Sequence, residues 1–232
     1  MSRSNSPLAL SVVTLTDPSS VDATFERITE FDDRDFGFNH NQTWRALPFA
    51  LRGELKATSV ATSFSKTPKR VQRCITALCE LGEHTPLNTM RFADYPDAGL
   101  KTVKSIDWDP SVRVRVKATC WYVTGEQAVI PILQPRKAAL DVERLAVYVH
   151  LARRAYCQGD WINALIQPID LSGDDEVVTA RVIDLSILPS VSERLVRGYV
   201  QTFVEAKKMA DKKRADRPKK PADIPMAEIL GI

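Results

Sequence analysis

The residues best suited to chemistry in this 232-residue chain are carboxylates in two short runs. Asp32, Asp33 and Asp35 could chelate a divalent cation, because hard cations prefer carboxylate oxygens. The other ligands of a metal shell are not visible beside them. The run Asp174–Glu176 falls in a predicted hairpin turn, where acidic residues serve turn geometry alone. A metal-dependent nuclease with a divergent site is therefore an alternative, and not the leading prediction.

Thiols and imidazoles give no stronger signal. The cysteines at positions 74, 79, 120 and 157 form no Cys-x-x-Cys pair, and the three histidines pair with none of them at ligand spacing. His84 could act as a base, but no nucleophile is fixed beside it. Phosphate-cradling glycine motifs and nucleophile elbows are also missing from the sequence. We expect buried, reduced thiols, no metal, no cofactor and no catalytic residue, so a protein that is not an enzyme.

The first of three basic clusters lies at the start of a predicted helix. Lys66, Lys69, Arg70 and Arg73 precede or open the segment Thr67–Leu81, with Gly82 as the predicted C-terminal stop. The helix dipole disfavours cations at this end, and a bound phosphate would remove the conflict.

Residues 57–64 before this helix could form a second, shorter helix or a strand. In the first case the segment resembles a helix-turn-helix, whose second helix enters the major groove. In either case, replacing the four cations with glutamine is expected to leave stability unchanged or slightly raised.

The second cluster is one face of a predicted strand. Arg113, Arg115 and Lys117 alternate with apolar residues, which spaces them about 7 Å apart. That spacing is close to the phosphate spacing of a single strand, and Trp121 and Tyr122 could stack on bases. The alternative is an exposed strand whose cations pair with carboxylates or protect a sheet edge.

The third cluster is a C-terminal run that contrasts with an acidic front. Residues 1–35 carry a net charge of −4, residues 205–220 carry +5, and the whole chain carries +3. Basic extensions bind nucleic acid through counterion release, although a solvated helix end explains them equally well. The cations that we assign to this site are Lys207, Lys208, Lys212, Lys213 and Arg214.

The elements that position these clusters follow from hydrophobic periodicity. Strands are predicted at Leu8–Leu15 and Val112–Val123, the second continuing through a turn into a hairpin. Helices are predicted at Lys137–Tyr156 and from Ser190 onward, where Ser190 and Glu193 have capping-box spacing. The order predicts an α+β fold with a mainly antiparallel sheet, about four to five helices, and a long C-terminal helix with a basic tail.

Three regions are predicted along the chain. Residues 1–110 form an N-terminal α+β region, residues 111–206 a β-hairpin/helix/β-hairpin/helix core, and residues 207–232 a basic tail outside the core. No segment is apolar enough to span a membrane, so the expected compartment is the cytoplasm.

The leading hypothesis is a non-catalytic protein that binds the DNA or RNA backbone, alone or with protein partners in a nucleoprotein assembly. A viral coat or scaffold protein is the main alternative.

Overall fold

The computed structural model describes residues 6–33, 40–84, 86–91, 101–109, 112–174 and 176–216. The N-terminal part of this chain is mainly helical and the middle is mainly strand. The helices are α1 (Ala9–Leu15), α2 (Val21–Asp33), α3 (Asn41–Leu51), α4 (Val60–Ser63), α5 (Lys69–His84), α6 (Val142–Tyr156) and α7 (Glu193–Ala215). The strands are β1 (Thr89–Arg91), β2 (Val103–Asp109), β3 (Val112–Lys117), β4 (Cys120–Thr124), β5 (Gln127–Gln134), β6 (Leu165–Asp170) and β7 (Arg181–Val182).

The strands form a five-stranded sheet of order β1-β4-β5-β6-β7 and a separate β2-β3 ribbon. Every described strand pair is antiparallel except β5 and β6, which are parallel and joined through α6. Gly125, with a φ of +60°, makes the tight turn between β4 and β5. The predicted α+β class with a mainly antiparallel sheet is confirmed, although the described residues contain seven α-helices rather than four to five.

Helices cover both faces of the five-stranded sheet and enclose two apolar cores. The first core joins α1, α2, α6 and α7 to one face of the five-stranded sheet and to the inner face of the ribbon. The second core joins α3, α4 and α5 to the other face of the five-stranded sheet. Strand β5 serves both cores, because Ile130 and Ile132 enter the first and Leu133 enters the second. All three are fully buried, and each such side chain contributes about 1.5–3 kcal/mol of hydrophobic stabilisation.

The predicted strand Val112–Val123 is wrong as one element. The chain passes from the ribbon to the larger sheet between Lys117 and Cys120, so β3 and β4 have no common partner. Ala118 marks the crossing, where its backbone N–H donates to the Tyr156 hydroxyl on α6 at 3.1 Å. The predicted alternation itself is confirmed, because the apolar positions from 112 to 120 are all buried.

The predicted strand Leu8–Leu15 is also wrong, because Ala9–Leu15 is α1. Its buried residues Ala9, Val12 and Val13 have the three- and four-residue spacing of a helix face. Gly82 does not end α5 either, since that helix continues to His84. A β-carbon at Gly82 would lie 1.9 Å from the carbonyl oxygen of Ala50 on α3, so glycine is needed there for close helix packing.

Helix α7 begins two residues later than the capping-box spacing predicts. Ser192, rather than Ser190, is the N-cap, and its hydroxyl accepts from the Leu195 backbone N–H at 3.2 Å. Its apolar face continues past Val204 to Ala206 and Ala210, which are buried in the first core. Residues 207–215, assigned from sequence to a tail, are therefore part of a helix that packs on the core. The ribbon also pairs residues on both sides of the predicted boundary at 110.

Candidate nucleic-acid interface

Helix α7 is the longest described helix, with 23 residues, and it spans roughly 34 Å. Its apolar side packs mainly against α2 and also against α1 and α6. At its N-terminus Glu193 accepts a hydrogen bond from Arg154 of α6. These contacts fix which side of α7 faces the solvent.

The C-terminal cluster is divided by this packing. Lys207 and Arg214 point toward α2, where both pair with the Asp32 carboxylate at 2.9 and 2.7 Å. Lys213 lies over the Phe25 ring, 5.2 Å from its centroid. Burial alone would lower the pKa of Lys207, but hydrogen bonds to Asp211 and Asp32 outweigh it and raise that pKa above its ordinary value. Three of the five predicted cations therefore contact α2 of the same chain, two through the Asp32 carboxylate and one through the Phe25 ring.

Lys208 and Lys212 lie on the opposite side of α7, in a row of exposed polar residues. The members of this row follow one another at spacings of three and four, which places them on one side of a helix. We call this row the solvent face of α7, and it consists of Arg194, Arg197, Gln201, Glu205, Lys208 and Lys212.

The solvent face carries four cations and one carboxylate. Among the residues that the structure describes, none of the four cations makes an ion pair, whereas Arg27, Arg52, Arg144 and Arg181 elsewhere all do. Arg194 and Arg197 were not among the sequence-predicted sites. Their helical spacing from Lys208 and Lys212 was the signal that could have found them.

The cluster at α5 is also divided between the interior and the surface. Arg70 is 5% exposed, and its guanidinium donates to the carbonyl oxygens of Leu171, Gly173 and Asp174 at 2.7–3.0 Å. Lys66 and Lys69 are exposed, while Arg73 is half-buried. Arg70 therefore anchors the loop after β6, and its Nη donors are turned toward protein carbonyls rather than solvent.

Residues 57–63 are helical, so the alternative of a strand is wrong. A 3-10 turn at Ala57–Ser59 leads into α4, which has only four residues. The exposed side of α5 carries Lys69 in its first turn but Glu80 and Glu83 nearer its end. A helix lying in a major groove would bring those carboxylates toward phosphates, so only the first turn of α5 suits an anion.

In the basic strand face, Arg113 and Arg115 are exposed as predicted and Lys117 is half-buried, but all three cations have partners within the protein. Arg113 pairs with Asp107 directly across the ribbon at 2.6 Å. The Nε of Arg115 donates to the carbonyl oxygen of Ser6 at 2.8 Å, and Lys117 donates to the Asn41 side chain at 2.8 Å. The pKa of Lys117 is lowered by burial and by nearby Arg45.

The predicted stacking residues lie elsewhere. Trp121 is in β4, outside the ribbon, and its ring packs edge-on against Trp161 at 4.9 Å. Tyr122, in the same strand, is 4% exposed, so its ring offers no free face on which a base could stack.

The carboxylates of Asp32 and Asp174 form contacts within the protein, and the Cys74 thiol is buried. Asp32 belongs to the α2–α7 ion pairs, and the Asp174 side chain accepts from the backbone N–H groups of Glu176 and Val177. Asp35 and Asp175 fall outside the described residues. In the part of the chain that is described, no three His, Cys, Asp or Glu side chains cluster as metal ligands. Burial raises the pKa of Cys74 to about 11, as expected for an enclosed thiol.

No family model, no curated protein and no solved structure matches the chain. Among the described helices, none combines the length and the apolar character needed to cross a bilayer.

Proposed function

We propose that this protein binds nucleic acid through the solvent face of α7, which contacts backbone phosphates. The observation that supports the proposal is the charge imbalance of that face. The chain is nearly balanced, at +3 over 232 residues, and many of its described cations pair with carboxylates. Within the described part of the chain, no carboxylate forms an ion pair with the four cations of the solvent face.

The spacing of these cations suits a polyanion better than a small acidic ligand. Arg194 and Arg197 lie near the first turn of α7, and Lys208 and Lys212 lie in its last two turns. The outermost of them are separated by roughly 27 Å along the axis. A backbone with regularly repeated phosphates can contact both pairs at once and release several counterions. Because the contacts are to phosphates, binding is expected to have little sequence preference.

The test neutralises the solvent face and measures the salt dependence of binding. The variant carries Arg194→Gln, Arg197→Gln, Lys208→Gln and Lys212→Gln. Its affinity for duplex and single-stranded oligonucleotides is measured by fluorescence anisotropy across a range of salt concentrations. We expect weaker binding, with the logarithmic salt slope reduced by about 3.6 on duplex DNA or about 2.8 on a single strand if all four contacts are made.

A matched variant controls for the loss of net charge. It replaces four exposed cations away from α7 with glutamine, namely Lys56, Lys66, Lys69 and Lys101. The lower net charge should weaken binding slightly. Apart from that effect, the affinity of this variant should stay within about twofold of that of the native chain. An equal loss in both variants, or no loss in the first, would contradict the assignment to α7. If only the matched variant loses affinity, the interface would instead include the cations that this variant replaces.

A further inference from the structure

An open cleft of about 500 Å³ lies between α3 and the segment that follows it, on the side of the sheet that holds the second core. Clefts of this size bind small ligands, or single groups of larger ones, on mostly apolar walls with a few polar groups. The residues that line it are Gln42, Arg45, Ala46 and Phe49 of α3, Glu54 and Leu55 after α3, and Phe64 after α4. The four α3 residues follow at spacings of three and four, which places them on one side of that helix.

The apolar part of the cleft contains two phenylalanine rings. Leu55 and Phe64 are half-buried and pack in part against the second core. The guanidinium groups of Arg52 and Arg91 lie over the Phe49 ring, 5.3 and 5.4 Å from its centroid. Among the described residues, no cation and no second aromatic ring lies over Phe64. Phe64 is therefore the ring on which a planar group could stack.

The charges of the cleft favour an anion. Arg45 is exposed, and no described carboxylate forms an ion pair with it. Glu54 is the acidic lining residue, and its carboxylate pairs with Arg52 at 2.8 Å. That pair is neutral, so the charge of Arg45 is left for a ligand. An apolar side chain of a partner protein would fill the cleft but would give Arg45 no counter-ion.

We propose that this cleft binds one unpaired nucleotide of a single-stranded nucleic acid, with its base on Phe64 and its phosphate on Arg45. Stacking on an aromatic ring suits every base, since each has a π-face. The Arg45 guanidinium can donate two parallel hydrogen bonds to a phosphate, and the Gln42 amide offers a donor and an acceptor to a base edge. The proposal rests on the proposed function, because its ligand is a nucleic acid, but it uses no residue of α7.

The test compares three labelled probes on the full chain: a short single strand, its duplex, and an abasic strand with the same phosphates. Fluorescence anisotropy gives each affinity. We expect the native chain to bind the single strand more tightly than the abasic strand. Phe64→Leu should remove that preference by weakening single-strand binding about 5- to 100-fold. Its affinity for the duplex and for the abasic strand should stay unchanged, since neither offers an unpaired base.

Two further variants separate stacking from a structural role of the ring. Phe64→Tyr keeps an aromatic ring and should retain the preference for the single strand. Phe31→Leu is the matched control, because Phe31 is 39% exposed on α2, away from the cleft, and should bind like the native chain. Equal loss on all three probes in Phe64→Leu would show a structural role and would overturn the proposal.

Arg45→Gln tests the phosphate contact at an exposed position, where loss of folding is not expected. Single-strand binding should weaken, and the logarithmic salt slope should fall by about 0.7 for the one lost contact. This variant and the native preference for the single strand decide the test if Phe64→Leu does not fold. Equal native affinity for the single and abasic strands, or an unchanged salt slope in Arg45→Gln, would overturn the proposal.

The α7 variant shows which of the two proposals fails. If the cleft is wrong and α7 is the interface, the α7 variant loses affinity while Phe64→Leu and Arg45→Gln bind like the native chain. If the assignment to α7 is wrong, the α7 variant keeps its affinity while both cleft variants still weaken single-strand binding. Failure of the native chain to bind any of the probes at low salt overturns both.

Discussion

At the scale of single residues, Arg70 belongs to the basic cluster at α5 in the sequence but makes structural contacts in the fold. The sequence predicts that four glutamines at positions 66, 69, 70 and 73 leave stability unchanged or raise it. The structure changes that expectation for Arg70 alone, because its guanidinium joins α5 to the loop after β6. Arg70→Gln should lower the free energy of unfolding by about 3–5 kcal/mol, since three charge-assisted hydrogen bonds are lost.

The control for Arg70 is the pair of exposed lysines beside it. Lys66→Gln and Lys69→Gln together should change the free energy of unfolding by less than about 0.5 kcal/mol, as is usual at exposed sites. Urea denaturation measures both variants and the native chain. Equal stability of Arg70→Gln and the double lysine variant would show that the carbonyl contacts of Arg70 are not important in solution.

Alanine at two helical glycines, Gly82 and Gly198, should change the stability of the protein in opposite directions. Gly82→Ala should destabilise the protein by about 2 kcal/mol or more, because the new β-carbon would overlap the Ala50 carbonyl oxygen. Gly198 lies inside α7 with no atom within 4 Å of an added β-carbon. Gly198→Ala should therefore stabilise the protein by about 0.5–1 kcal/mol through helix propensity. Thermal denaturation distinguishes the two, and a stabilising Gly82→Ala would contradict the α3–α5 packing.

Sequence reasoning at this scale identifies residue types but not their directions. The four cations at the start of α5 form a cluster in the sequence, yet Arg70 is buried and Lys69 beside it is exposed. The direction depends on the loop after β6, which lies about 100 residues away. Nothing local to residues 66–73 contains that information.

At the scale of elements, the pairing of α2 with α7 carries the next prediction. Asp32→Asn removes the shared partner of Lys207 and Arg214 and should lower the free energy of unfolding by about 1 kcal/mol, a modest value because both cations retain some solvent contact. The loss should shrink in high salt, since ion pairs near the surface are screened. Glu26→Gln, at an exposed position in the middle of α2, is the control, and an equal loss from it would argue against these pairs.

Shortening α7 tests the same contact without changing Asp32. A chain that ends after Ala206 loses the buried Ala210 and the ion pairs, so its unfolding midpoint should fall clearly. A chain that ends after Asp216 keeps the whole helix and is the control. Equal stability of the two shortened chains would restore the sequence-based prediction that residues from 207 onward lie outside the core.

Periodicity predicted which residues are buried better than it predicted which elements they join. The alternation through residues 112–120 is correct, yet β3 and β4 belong to different sheets, and the Tyr156 hydroxyl on α6 binds the backbone at their junction. In the same way, Ala9, Val12 and Val13 are apolar in either a strand or a helix reading. Their three- and four-residue spacing fits the helix, and in the structure α1 packs against α6. Local pattern determines burial, and distant partners determine the element.

At the scale of the whole molecule, His40 gives a prediction for acid stability. Its pKa in the folded protein is about 4, below the ordinary 6.5, because burial and the charges of Arg70 and Arg136 disfavour the charged ring. Between these two values the unfolded chain binds a proton that the folded protein does not bind. Stability should therefore fall as the pH drops from 6.5 to 4, by up to about 3 kcal/mol from this residue.

The variant His40→Gln isolates that contribution. Its loss of stability between pH 6.5 and pH 4 should be smaller than that of the native chain by about the same amount. Carboxylates titrate in both proteins and cancel in the comparison. Identical pH profiles would mean that His40 is solvated in the folded state.

The pairing of α2 with α7 also affects the order in which the molecule can fold. Lys207 binds Asp32 across 175 residues of sequence, and the first core needs both helices. Contacts between such distant segments slow folding, because a long loop closes before they form. During synthesis, the apolar side of α2 therefore remains without its partner helix until almost the entire chain has been made. Until then it is open to other apolar surfaces, so incomplete chains of this protein should be more prone to aggregation than complete ones.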